Sequence, residues 1–149
     1  MALLSEPLRE QLRERFAQTL NGPVTIRLYV RPGTGRLILP SGVGCATCNE
    51  ARAMVEELVE VGAPNLSSEV VDVTVTPSEV DDVPTFAISA SGEAPRIRFQ
   101  GLPGGFEFGA FIDGLERVSE ADHALSDVSL EQLKRVTEPV ELLIFSTPG

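Results

Sequence analysis

The chain has 149 residues, 42% of them hydrophobic and 23% charged, with 13 Gly, 11 Pro and no Trp. Those are ordinary values for a compact domain, and a chain of this length can bury roughly 68–70% of the surface it exposes when unfolded, so its core needs no metal or set of disulfides to hold it. Lys and Arg number 12 against 22 Asp and Glu, a net charge of −10 with the arginines scattered, which sets the overall field against a phosphate backbone and argues against nucleic acid as a partner. The apolar run Leu142 to Phe145 falls far below the ~20 residues of a membrane span, and Met1-Ala2-Leu3-Leu4 passes straight into Ser5-Glu6-Pro7 without the basic start of a secretory signal. These features predict a cytoplasmic chain with no membrane contact.

Leu4, Leu8, Leu12, Phe16 and Leu20 recur every fourth residue between Ser5-Glu6-Pro7 and the stop signal Asn21-Gly22-Pro23, which predicts an amphipathic opening helix. Val24 to Val30 alternates apolar and polar residues with period two, as a half-buried strand does. Residues 31–44, RPGTGRLILPSGVG, place Gly and Pro around Leu37-Ile38-Leu39, too punctuated for a helix and suited to a short hairpin or flap. From Ala46 onward Ala51, Val55, Leu58 and Val61 mark one helical face and Glu56, Glu57 and Glu60 the other, until Gly62-Ala63-Pro64 ends the helix. The valine-rich run Glu69 to Val75 reads as a buried strand parallel to the first, completing a βαβ unit. After the acidic turn Glu79 to Asp82 come Val83-Pro84, a strand Thr85 to Ser89, a turn Ala90-Ser91-Gly92 and a strand Arg96 to Gln100, hence a hairpin. The loop Gly101-Leu102-Pro103-Gly104-Gly105 then leads into a helix whose buried stripe is Phe108, Phe111, Ile112, Leu115 and Val118.

Residues 119–128 have the polar, acidic composition of a linker. Ser129-Leu130-Glu131-Gln132 reads as a capping box opening a short helix that Pro139 ends, and Val140 to Phe145 has the composition of a strand. At a constant offset of 116 residues, PVELLIFSTPG (139–149) matches PVTIRLYVRPG (23–33), and Glu-Gln-Leu occurs in the helix before each, at residues 10–12 and 131–133. The chain therefore reads as repeating its opening helix and strand.

Cys45 and Cys48 are the only cysteines, two residues apart. In a reducing compartment such a pair is more often redox-active or metal-binding than structural. A closed zinc site wants four ligands, and the sole histidine, His123, lies far away in a polar acidic stretch without a companion at ligand spacing. Two thiols at i and i+3 at a helix start are close enough to join, and the unpaired amides there favour a thiolate. Cys45 is then the expected nucleophile and Cys48, further in, the residue that resolves the mixed disulfide. A metal held between two chains by two such pairs has suitable donor softness but requires a dimer. Hydrolytic chemistry has no support, since His123 has no partner discernible in the sequence.

Cys45-Ala46-Thr47-Cys48 after a strand, Val83-Pro84-Thr85 before a hairpin, and Gly101 to Gly105 before the last helix together resemble the thioredoxin and glutaredoxin superfamily. The leading helix, RFQGLPGGFEF (98–108) and the repeated opening resemble more closely the amino-terminal unit of protein disulfide oxidoreductases built from two fused thioredoxin-like units. They are similar also to the amino-terminal domain of the alkyl hydroperoxide reductase flavoprotein, and retention of both cysteines favours the oxidoreductase branch. The resemblance implies an α/β thioredoxin-like fold, βαβ plus ββα around a mixed sheet, with an extra amino-terminal helix. Its expected divisions are a redox unit over 1–118, a linker over 119–128 and the opening of a second unit over 129–149. It implies a cis Val83–Pro84 bond facing the cysteines, with Val83, Pro84 and Thr85 binding the substrate chain. The implied activity is thiol-disulfide exchange with disulfide-containing protein partners, with no cofactor and no metal, and a flavoprotein reductase of thioredoxin-reductase type to recharge the dithiol. The alternative is an adaptor domain of a larger, peroxide-reducing redox system. Ala46-Thr47 without a proline or aromatic residue, the long loop 31–44, and the absence of Asp or Lys from the strand 24–30 are departures from the family pattern that leave the redox potential open.

Overall fold

The computed structural model describes residues 3–31, 44–76, 80, 82–95, 97–120 and 123–146. The expected flap around Leu37-Ile38-Leu39, and Glu79 and Asp81 of the acidic turn, lie outside the described residues. The opening helix α1 spans Glu6–Thr19, with Pro7 in its first turn, where a missing N–H removes no helical bond. Leu12, Phe16 and Leu20 turn inward, and Arg9 and Arg15 tie the outer face to its neighbours through Arg9–Glu60 and Arg15–Asp113 ion pairs, each 2.6 Å.

Strand β1 (Val24–Val30) is central: the described sheet runs β2-β1-β3-β4, with β2 (Leu66–Asp72) parallel to β1, β3 (Thr85–Ala90) antiparallel to β1, and β4 (Ile97–Gln100) antiparallel to β3. Its alternation is realised: Val24, Ile26, Leu28 and Val30 are fully buried, while Thr25, Arg27 and Tyr29 are half-buried on the other face. The buried side of the sheet shares one core with α1, α2 (Cys48–Gly62) and α3 (Phe106–Glu120). Phe111 of α3 meets Phe86 of β3 and Phe99 of β4 edge-on, at 5.3 and 5.2 Å between ring centroids. Of the expected α3 stripe, Phe111, Ile112 and Leu115 are buried, and Phe108 and Val118 pack partly buried at its ends.

Three expectations need correction. The second strand was expected over Glu69 to Val75 and buried, but β2 begins at Leu66, because the Val24 amide bonds the Asn65 carbonyl at 2.8 Å and fixes the register at Val24↔Leu66. It is an edge strand in which Leu66 alone is buried, and Val75 lies beyond it in a turn, 76% exposed. The last helix, α4, spans Asp127–Leu133, and its cap is Ser126, whose hydroxyl accepts the Ser129 amide, so Ser129 lies inside the helix and no capping box starts there. Finally, Val140 to Phe145 belongs to no strand: no described edge pairs with it, and Leu142, Ile144 and Phe145 are 82%, 89% and 92% exposed. Among the described residues no helix is long and apolar enough to cross a membrane.

Candidate active site

The carboxyl end of β1 and the amino end of α2 bring the two cysteines to one end of the sheet. Cys48 is the first residue of α2, Thr47 is its cap, and Cys45 stands two residues before that cap. The expectation that both thiols lie on the helix's first turn is thereby corrected for Cys45, because the helical ladder starts with the Ala51 amide donating to the Thr47 carbonyl. The two sulfurs are joined in a disulfide with Cα atoms 5.5 Å apart. Cys48 is 1% exposed and part of the core, whereas Cys45 is half-buried and borders it. The less buried cysteine is thus the one before the helix, where first-turn amides without helical acceptors give a partial positive charge.

The start of β3 faces this pair. The Val83–Pro84 peptide bond is cis, and the Val83 carbonyl oxygen lies 3.6 Å from Cys45 Sγ. In the disulfide that sulfur carries no proton and the approach is a contact; a reduced Cys45 thiol would have an acceptor there. Pro84 is buried and its carbonyl accepts the Gly101 amide at 2.8 Å, tying the Gly101 to Gly105 loop to the same place. Thr85 is fully buried, and its hydroxyl donates to the Asp82 carbonyl at 2.7 Å, so its side chain faces the protein interior. Cys45 and Val83 are therefore brought together at the edge of the core, half-buried, with Cys48, Pro84 and Thr85 buried behind them.

Two contributors carry no site role in the sequence reading. Asp82 accepts the Val83 amide on Oδ1 at 2.8 Å, and Gly101, with a φ of 87°, turns the chain so that its amide reaches Pro84. An Asp immediately before Val-Pro is the signal for the first, since short acidic side chains bond nearby backbone amides. A second cis bond, Ala63–Pro64, follows α2 at the far end of that helix. His123 is exposed, its Nδ1 accepting the Leu125 amide. Among the described residues no group of three or more His, Cys, Asp or Glu side chains is arranged to hold a metal ion.

No family model matches the sequence, and neither does any curated protein. Solved structures do match. A protein disulfide oxidoreductase from Aeropyrum pernix superposes with a TM-score of 0.70 and 25% identity over 89% of this chain. The NTD_N/C domain of alkylhydroperoxide reductase AhpF from Enterococcus faecalis superposes with a TM-score of 0.69 and 17% identity over 87% of it. The fold is thioredoxin-like. The mixed four-stranded sheet with its helices follows that pattern. The chain spans 55% of the oxidoreductase's length and 59% of the reductase domain's. A structure of the AhpF subunit from Enterococcus faecalis aligns similarly, with a TM-score of 0.70, 18% identity and 87% of this chain covered.

Proposed function

We propose that the chain is a thiol-disulfide oxidoreductase acting on polypeptide partners through Cys45 and Cys48. The observation that carries this reading is the exposed-and-buried pair itself: a disulfide whose outer sulfur borders the surface before a helix, with the Val83 backbone 3.6 Å away. The likeness to a protein disulfide oxidoreductase supports it.

In the reducing direction, the Cys45 thiolate attacks one sulfur of a partner disulfide. That S–S bond breaks, the departing partner sulfur takes up a proton, and a mixed disulfide joins Cys45 to the partner. Cys48, having lost its proton, then attacks Cys45 Sγ, the mixed disulfide breaks, and the second partner sulfur leaves as a thiol. Two electrons and two protons pass to the partner and the Cys45–Cys48 disulfide remains. A flavoprotein reductase of thioredoxin-reductase type returns the electrons to the Cys45–Cys48 disulfide; reversal of the same steps oxidises a partner dithiol. Val83 offers an extended partner chain backbone groups to pair with beside the sulfur, Pro84 shapes that approach from below, and Thr85 positions the turn through Asp82. In this reading residues 1–118 are the redox unit and 129–149 open a second one.

The test is insulin reduction with dithiothreitol as the electron source. Faster precipitation with the wild type than with Cys45→Ser/Cys48→Ser supports the reading, and equal rates reject it.

A further inference from the structure

We propose that the Asp82 carboxylate governs how tightly the site holds a partner polypeptide, by occupying the Val83 amide that an extended chain lying beside Cys45 has to use. The inference rests on the disulfide-exchange reading and deepens it, assigning a specificity role to a residue next to the sulfur site.

Among the described residues, few backbone groups at this end of β3 are free to receive a partner. Pro84 has no N–H, and its carbonyl is taken by Gly101. Thr85 is already inside the ladder, opposite Tyr29 on one side and Gln100 on the other. Among the described residues Val83 is left as the one that can present both a donor and an acceptor to an added strand, and its carbonyl is the group 3.6 Å from Cys45 Sγ. Its donor is taken by Asp82 Oδ1 at 2.8 Å, in an exposed hydrogen bond. A partner carbonyl must displace that carboxylate to bond the same N–H. The competition is unequal, because a bond to an ionised acceptor is roughly twice as strong as one between neutral groups. The Asp82 backbone cannot withdraw either, since its carbonyl is bonded to the hydroxyl of fully buried Thr85. Only the side chain is left to swing away, toward solvent. The arrangement asks no backbone bond of a small disulfide and makes a polypeptide compete for its first one.

The test compares wild type, Asp82→Ala, which frees the amide, and Asp82→Asn, which keeps an oxygen acceptor without charge. For each, kcat/KM is measured for a disulfide-bridged peptide and for 2-hydroxyethyl disulfide, which has no backbone to pair. The ratio of the two is expected to rise about fivefold in Asp82→Ala, the size of one net hydrogen bond, and to rise less in Asp82→Asn. A ratio in Asp82→Ala equal to or below wild type overturns the inference while leaving disulfide exchange standing; a wild type that turns over neither disulfide overturns both. Deuterium exchange at the Val83 amide checks the masking directly: it is expected to be faster in Asp82→Ala than in wild type, and equal rates also overturn the inference.

Discussion

Phe111→Ala removes the ring that locks α3 onto β3 and β4, the two strands whose ends carry Val83-Pro84 and the Gly101 loop. Phe111 is fully buried and meets both Phe86 and Phe99 edge-on. Truncating a buried Phe costs ~3–5 kcal/mol, cavity included, and two aromatic pairs, each worth ~0.5–1.5 kcal/mol beyond their area, keep this site off the lower end, at ~4 kcal/mol. With a urea m-value of ~2 kcal/mol/M, the midpoint should fall by ~2 M, and at ~2–4 °C per kcal/mol the melting temperature should fall by ~8–16 °C. Urea titration followed by far-ultraviolet circular dichroism reads both the midpoint and the slope. The control is Phe106→Ala in the same helix: Phe106 is 87% exposed, so its loss should stay within ~0.5 kcal/mol. A loss below ~1.5 kcal/mol for Phe111→Ala, or a larger one for Phe106→Ala, would refute the packing described here.

After reduction, iodoacetamide should label Cys45 well before Cys48, because Cys48 is 1% exposed; peptide mapping by mass spectrometry that finds equal labelling contradicts that burial. The Thr74 hydroxyl, followed by its amide, holds the Asp72 carboxyl below the usual carboxylate range. A lowered folded-state pKa contributes stability above the unfolded value of ~3.9 and loses it as pH falls through the folded value. Asp72→Asn should therefore destabilise slightly at neutral pH and not in strong acid, as urea midpoints across the acidic range will show; a deficit independent of pH would contradict it. Residues 140–146 should exchange their amides rapidly in the isolated chain, since they pair with no strand and their large apolar side chains are exposed; strong protection there would mean that the segment completes a sheet.

Elements whose pattern is local were legible in the sequence. The alternation of Val24 to Val30, the helical face of Ala51, Val55 and Leu58, and the Val83-Pro84 hairpin each carry their structure within a few residues. What was misread is decided at a distance. The valines of residues 69–75 do not show that their strand is an edge, because that depends on which strand pairs with β1 on each side. Ser129-x-x-Gln132 has the residues of a capping box, but the cap is Ser126, whose hydroxyl accepts the Ser129 amide. Val140 to Phe145 has the composition of β1, but composition cannot supply an edge to pair with. At the site, the cysteine spacing and the Val-Pro step were readable, whereas the start of α2 at Cys48, the burial of the Thr85 hydroxyl and the Asp82–Val83 bond emerge only from the folded chain.

The unequal roles of the two cysteines are tested most directly by trapping. Cys48→Ser leaves the outer sulfur able to attack and removes the inner one that would release the product; Cys45→Ser does the reverse. Each variant, reduced, is mixed with a peptide disulfide, quenched in acid and weighed by intact-mass spectrometry. The account predicts that the mixed disulfide accumulates on Cys48→Ser and is nearly absent from Cys45→Ser, in line with the half-buried position of Cys45 and the 1% exposure of Cys48. Equal trapping by both variants, or more by Cys45→Ser, would contradict it.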